Sequence, residues 1–373
     1  MFDCIVVGLG AVGSAALCHV ARQGARVLGI DRYAPPHTEG STHGGSRIIR
    51  KAYFEGPSYL PLLERAYVLW RALEEETGQR LLNLCGCLNI GAPGSSIIEG
   101  ARRSAESFGV SHEVLTAKAI RRRFPAYHIP EGQMAVFEPD AGFIFPERCV
   151  EAQLRLARGR DAEVLVNEAV AGWKADGGGV SVTTQHGVYH ARTLILCAGA
   201  WMGDLLGAIR PPLRVERVVN SWFHPAANAA DFVPERCPAF IWETGSNTHL
   251  YGLPDFGEGV KAGLHHAGAL VDHPDQVSRS VAPEDIDRIR APLGELLPDA
   301  VGMLGRSAIC LYTNTPDHHY LIDRFPGEEN IVYASACSGH GFKASIAVGE
   351  VVADLVLGNR LKASIDAFRW RWS

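Results

Sequence analysis

Three glycines near the start of the chain have the spacing that holds a pyrophosphate: Gly8-Leu9-Gly10-Ala11-Val12-Gly13. Gly8 permits a tight turn, Gly10 lets backbone approach the ligand, and Gly13 lets the following helix lie against the preceding strand. The free N–H groups and partial positive charge of that helix N-terminus then face the phosphates. Asp31 closes the next apolar run, where its carboxylate can accept hydrogen bonds from an adenosine ribose. A second small-residue turn, Ala198-Gly199-Ala200-Trp201, follows another apolar run. It either brings backbone against a nucleotide's ribose and phosphates or simply joins a strand to a helix.

These turns need a frame. Ile5-Val6-Val7 reads as a buried parallel strand, residues 14–23 as a helix and Val27-Leu28-Gly29-Ile30 as the second strand. Residues 59–76 carry apolar side chains at Leu60, Leu62, Leu63, Ala66, Leu69 and Trp70 and predict a long helix. A strand is expected at 84–90 and a helix at 96–108. A second βαβ-like segment starts near residue 146, with a helix over 146–158 and a strand at 164–166. Turn residues 176–179 lead into a meander through 180–184 and 187–191, and a separate strand follows at 193–197. A three-stranded meander inserted in a dinucleotide fold favours FAD over NAD. From about 215 to 311 short alternating runs separated by Gly, Pro and Asn predict an antiparallel sheet. Residues 330–334 resume a strand, which leads to Gly339-His340-Gly341-Phe342-Lys343 and a helix over 344–357. The expected class is α/β, or more fully α+β. A Rossmann-like FAD-binding domain of residues 1–84, 141–212 and 316–373 is interleaved with an antiparallel-sheet substrate domain of 85–140 and 213–315.

Composition narrows the setting. The 373 residues are 47% hydrophobic and 21% charged, as in globular proteins, and a net charge of −5 gives no reason to expect nucleic acid or an anionic membrane as partner. Nine cysteines without regular spacing, and a first strand with no room ahead of it for a signal peptide, read as cytosolic thiols in a cytoplasmic protein. Cys85-Gly86-Cys87 lacks a His or Cys pair at ligand spacing, so it reads as two small residues on one strand face and no metal is expected. No apolar stretch reaches the ~20 residues of a membrane span.

Four further segments carry chemistry: Ser41-Thr42-His43-Gly44-Gly45-Ser46-Arg47-Ile48-Ile49-Arg50, continuing to Lys51-Ala52-Tyr53 and Glu55-Gly56; Val260-Lys261-Ala262-Gly263-Leu264-His265; Cys310-Leu311-Tyr312-Thr313-Asn314-Thr315-Pro316-Asp317; and Ser338-Gly339-His340-Gly341-Phe342-Lys343. In this order, and over nearly the whole chain, they resemble the monomeric sarcosine oxidase family of amine oxidases, which includes N-methyl-L-tryptophan oxidase. The resemblance implies FAD joined through the sulfur of Cys310 to its 8-methyl carbon. It assigns Arg50 and Lys343 to a substrate carboxylate, a planar fork and a point charge from separate segments. Arg47 resembles the arginine that lies against the flavin, His43 and Ser46 line the same turn, and Gly339, Gly341 and Phe342 belong to a second cofactor-side turn. Gly45 and Ser46 depart from the family, where Asp and Thr are frequent. Lys261 matches the lysine that activates dioxygen, since a fixed cation stabilises negative charge as O₂ is reduced; a solvent-facing lysine is the ordinary alternative. His265 falls on the same strand face as Lys261 and resembles a histidine near the substrate amine. Tyr251 and Tyr53 either form an aromatic wall or pack in the core.

The activity so implied is FAD-dependent oxidation of a secondary amino acid by a monomeric enzyme, with a small amino-acid substrate and O₂ as its partners. Its simplest form is demethylation of an N-methyl amino acid to the primary amino acid, formaldehyde and hydrogen peroxide. The alternatives are oxidation of a cyclic imino acid such as pipecolate, a dehydrogenase that passes electrons to a carrier, and a flavin-binding accessory subunit.

Overall fold

The computed structural model describes every residue except Asp176, Ala208, Arg210, 245–247 and Ser373. Apolar runs buried on both faces make the centre of the first sheet. Phe2–Val7 lies parallel to Val27–Ile30 on one side and to Val188–Leu196 on the other. Glu163–Leu165 extends it beyond Val27–Ile30, and Glu328–Ser335 pairs in parallel with Val188–Leu196. Helix Ala11–Arg22 packs between helices Pro146–Arg158 and Ser345–Leu357 on one face of this sheet. The first helix starts at Ala11, three residues before the expected 14, so it emerges directly from the glycine turn. Gly8 sits at φ +84°, and a Cβ on Gly13 would meet the Gly8 carbonyl oxygen at 1.7 Å, so the helix can lie this close only without a side chain there.

Two strands predicted separately are one. Val188–Leu196 alternates in burial over its first half, where it pairs antiparallel with Val180–Thr184. Its last three residues, 194–196, are continuously buried between parallel neighbours. The polar residues near its middle therefore mark a change of surroundings and not a chain break. Val170–Ala175 completes the meander; of the expected turn at 176–179, Asp176 lies outside the described residues.

The strand expected at 84–90 begins only at Cys87. Leu82–Asn83 pairs with Gly142–Ile144, whereas Cys87–Gly91 belongs to the second sheet. Gly86, at φ +83° with its N–H bonded to Ala141 O at 2.8 Å, turns the chain between them. Cys85 thus lies outside any strand and does not share a strand face with Cys87. All nine cysteines are free, and no helix among the described residues is long and apolar enough to cross a membrane.

The second sheet runs Ala269–Val271, Arg214–Phe223, Val260–His265, His249–Leu253, Ala239–Glu243, Cys87–Gly91, Met134–Glu138 and Glu113–Thr116, with Leu304–Asn314 antiparallel along Arg214–Phe223. Behind it packs Pro283–Leu296, a helix absent from the sequence reading. Its signal was present: Ile286, Ile289, Leu293 and Leu296 recur at helical spacing after a Pro at the first turn. Between the two large sheets a short one, Arg47–Ile49 with Gly142–Ile144 and Leu82–Asn83, carries the chain from Ser46 to Arg50 into the cleft.

Gly13→Ala must push the helix off the strand. We expect destabilisation of about 1–3 kcal/mol or more, read as a lower melting temperature, together with loss of flavin absorbance from the purified chain.

Candidate active site

One cavity runs from the glycine turn to the face of the second sheet, lined at its ends by Gly8 and Lys343. At the nucleotide end Asp31 is buried, its Oδ2 accepting from Leu9 N at 2.6 Å and its Oδ1 from Tyr33 N at 2.8 Å. Burial pushes its carboxyl up against these donors. Gly10, Ala198 and Gly199 line the same end. Arg32 lies 5.6 Å from both the Tyr33 and Trp201 rings, forming a cationic and aromatic shelf there.

In the middle, Arg47 ties two segments together. Its Nη1 donates to Ser46 O (2.8 Å), and its Nη2 donates to Ser41 O (2.8 Å) and to Cys310 Sγ (3.2 Å). Cys310 is buried and lines the cavity, its thiol donating to Ser41 O at 3.3 Å. Strand alternation turns Tyr312, two residues on, to the same cavity, where its hydroxyl lies 3.3 Å from His265 Nδ1. Across the neighbouring strands Asn220, Gly263 and Tyr251 stand in one row. A Cβ on Gly263 would lie 2.6 Å from the Tyr251 oxygen, so the missing side chain is what lets that hydroxyl reach Asn220 Oδ1 at 2.5 Å. Burial pushes Tyr251 up to about 12, and it keeps its proton at neutral pH.

At the far end two cations are buried. Arg50 is 1% exposed and Lys343 is 6% exposed. Arg50 Nη2 donates to both Glu55 oxygens (2.8 and 2.7 Å) and Nη1 to Ala52 O (2.8 Å), while the guanidinium lies 4.4 and 4.5 Å from the Tyr53 and Phe54 rings. Burial raises the Glu55 carboxyl, but Arg50, His340 and Lys343 together hold it down at about 2. Lys343 Nζ donates to His340 O (2.7 Å) and to the Tyr53 hydroxyl (3.3 Å), which donates to His340 Nδ1 at 2.6 Å. Burial and then the Arg50 charge push Lys343 down to about 7. Glu138, fully buried in the second sheet, accepts from the N–H groups of Lys51 and Ala52 and so fixes the segment that carries Arg50 and Tyr53.

Of the residues singled out from sequence, Gly8, Gly10, Asp31, Ser46, Arg47, Arg50, Ala198, Gly199, Tyr251, His265, Cys310, Gly339, Gly341, Phe342 and Lys343 line this cavity. Gly13, His43, Tyr53 and Lys261 do not, Tyr53 being fully buried in the core. Gly13 is used in helix packing. His43 is buried behind the Gly44–Ser46 turn with its Nε2 unpartnered, and burial lowers it to about 4. Lys261 is also buried behind that turn, its Nζ donating to Gly44 O (2.9 Å) and Ser46 O (2.7 Å) and lying 5.1 Å from the Trp222 ring. It is not a solvent-facing lysine. Burial and then the Arg47 charge push its ammonium well below the ordinary range. Sequence reasoning assigned no role to Glu55, Asn220, Tyr312 or His340. Asn220 did leave a signal, a lone amide within the apolar run 218–223.

Room for a dinucleotide from the first glycine turn to Cys310 is what a nucleotide-dependent redox enzyme offers. Ser46 Oγ, Ser335 Oγ and Arg50 Nε line the same space and are buried without a protein partner, which fits polar groups of a bound flavin nucleotide and its substrate. The chain belongs to the FAD dependent oxidoreductase family, whose pattern matches residues 3–355. Monomeric sarcosine oxidase of Streptomyces avermitilis is 40% identical over 371 residues, covering 98% of this chain and 96% of that protein. N-methyl-L-tryptophan oxidase of Salmonella typhimurium is 35% identical over 369 residues, 99% of this chain and 98% of its own. Among solved structures, NikD, described as an unusual amino acid oxidase essential for nikkomycin biosynthesis, superposes with a TM-score of 0.85 at 26% identity, covering 99% of this chain and 97% of that one.

The lowered Lys343 gives a signed pH dependence. The lysine is charged below about 7 and neutral above it, so an anion that needs the charge must take up a proton at higher pH. Propionate, which has no amine, should bind the FAD-loaded enzyme more weakly by about tenfold per pH unit above that point. In Lys343→Met the dependence should vanish and binding should be weak throughout, as read by the flavin difference spectrum.

Proposed function

We propose that this chain is an FAD-dependent oxidase of secondary amino acids, acting in its simplest form on an N-methyl amino acid to yield the primary amino acid, formaldehyde and hydrogen peroxide. The observation that carries this reading is the pair of buried cations, Arg50 and Lys343, at the closed end of a dinucleotide cavity whose other walls hold Tyr251, His265 and Cys310. The likeness to proteins named for oxidation of sarcosine and N-methyl-L-tryptophan supports it.

When bound, FAD supplies the acceptor for a hydride from the carbon next to the amine and returns the electrons to dioxygen. The chain's residues do the rest. Arg50 and Lys343 hold the substrate carboxylate, which fixes the distance from that anchor to the reacting carbon. Glu55 already occupies one edge of Arg50 and leaves Nε free, so an arriving carboxylate joins or displaces an existing counter-ion. His265 is held well below its ordinary range by burial and then by neighbouring His266, His340, His249 and Lys343, so it is a neutral ring whose lone pair can accept a hydrogen bond from the amine. Tyr251, tied to Asn220, lines the same cavity. On the other side of Arg47, Lys261 supplies positive charge where negative charge develops on O₂. Cys310, held by Arg47 and Ser41, is the attachment point for the flavin.

The test is a screen of N-methyl and cyclic amino acids, read by anaerobic bleaching of the flavin and then by peroxide and formaldehyde in air. Both products from an N-methyl amino acid are expected. Peroxide without formaldehyde, from cyclic substrates alone, would move the assignment to imino-acid oxidation. Lys261→Met should slow reoxidation about a hundredfold or more and leave the anaerobic bleaching rate within about twofold. Acid-precipitated protein should stay yellow, and Cys310→Ser should release its colour into the supernatant.

A further inference from the structure

Past the cavity wall the imidazole of His265 opens a row of rings that leads outward. Its ring centroid lies 3.9 Å from that of His266, which lies 4.0 Å from that of His318. The row ends at the surface: His265 and His266 are half-buried and His318 is exposed. His266 and His318 both adopt left-handed backbone conformations, at φ +52° and +58°. Such geometry is unfavourable for a residue with a side chain and is retained where surrounding contacts enforce it.

A carboxylate sets the polarity of the middle ring. His266 Nδ1 lies 3.3 Å from Glu216 Oε2 and donates to it, leaving the Nε2 lone pair to accept a proton. Glu216 is itself buried and receives the Gly268 N–H (2.8 Å) and the Asn314 amide (2.6 Å). Burial raises its carboxyl, yet the His266, Gly268 and Asn314 hydrogen bonds keep it below the usual range, so it remains an anion beneath the ring. Tyr312 faces His266 at 5.7 Å from the neighbouring strand, and His249 faces His265 at 6.4 Å. On the outer side Asp317 and His319 flank His318. On the inner side His340 and Lys343 face His265.

We propose that His265, His266 and His318 form a proton exit, with His266 as the relay residue between the closed site and solvent. The proposal rests on the amine-oxidase reading. A secondary amine reaches the enzyme as an ammonium, with a pKa of about 10 by analogy with lysine, and must become neutral before it can give up a hydride. The ammonium gives one proton to His265 and becomes the free amine. His265 passes that proton to His266 Nε2, which releases it through His318 or directly to water. No electrons move, each ring ends neutral, and one proton appears in solvent for each substrate bound.

The experiment is anaerobic flavin bleaching in the holoenzyme, wild type against His266→Asn, across pH and buffer concentration. Asparagine tolerates the left-handed backbone, so the loop should keep its shape. His318→Gln serves as a second variant should the first fail to accumulate. The expected result is a rate for His266→Asn about tenfold or more below wild type near neutral pH, a gap that closes as pH rises and the amine arrives neutral, and recovery on adding imidazole. For His318→Gln a smaller loss with the same buffer rescue is expected. A variant that bleaches like wild type at every pH, or one slow at every pH and indifferent to imidazole, overturns the relay. A wild-type enzyme that no secondary amino acid bleaches overturns the parent reading, and the relay with it.

Discussion

Buried positive charge with too little negative charge beside it is the constraint on which this site depends. Arg47, Arg50, Lys261 and Lys343 converge around one cavity, and among the described residues Glu55 is the one carboxylate hydrogen-bonded to any of them. The others rest on backbone carbonyls, a tyrosine hydroxyl and a cysteine sulfur. Removing a cation from water costs several kcal/mol unless an anion or a full set of acceptors replaces the solvent. Here the replacement is incomplete, and the lowered ranges of Lys261 and Lys343 record it. A cleft in this condition favours anions.

Keeping those cations in place requires backbone oxygens aimed inward, and the fold supplies them from short irregular segments held by regular ones. The Gly44–Ser46 turn offers two carbonyls to Lys261 because Gly44 and Gly45 sit at φ +94° and +74°. The segment after Arg50 is pinned to the second sheet by Glu138, whose two oxygens accept three backbone hydrogen bonds. Trp70, on the long helix Leu60–Thr77, donates from Nε1 to Lys343 O at 2.9 Å and fixes the other cation's backbone. Each cation is therefore located by a tie from a different element, and the cleft cannot be assembled by either large sheet alone.

Much of this was legible in the chain and some was not, for identifiable reasons. The glycine turn, Asp31, and the helices at 96–108 and 146–158 were readable because local sterics and periodicity decide them. The residues of the four motifs were readable as a set, but their partners were not. Nothing local says that Glu55 folds back onto Arg50, or that Asn220 and Tyr251, on different strands, meet across Gly263. The late start of the strand at Cys87 was missed because Leu84 to Ile90 has strand composition throughout, and only the turn at Gly86 takes Leu84 and Cys85 out of the ladder. Lys261 and Lys343 look alike in sequence. Their difference, one behind the Gly44–Ser46 turn and one facing the cavity, is a tertiary fact.

That difference divides the chemistry. Lys261 and His265 share a strand face, with Gly263 between them. Lys261 meets the Gly44–Ser46 turn, and His265 meets Tyr312 and the imidazole row. Arg47 lies at the Cys310 sulfur and holds the loop from Ser41 to Ser46 around itself. One strand thus carries a lysine to one side of the cleft wall and an imidazole to the other. The spacing is set by the strand's period of two, about 6.6–6.8 Å for each same-face step. Glycine at the middle position keeps a side chain out of the space that Tyr251 occupies. A larger residue at 263 would displace that phenol and leave Asn220 without its donor, while Lys261 and His265 kept their own contacts. The integrity of this wall of the cavity therefore hangs on the absence of one side chain.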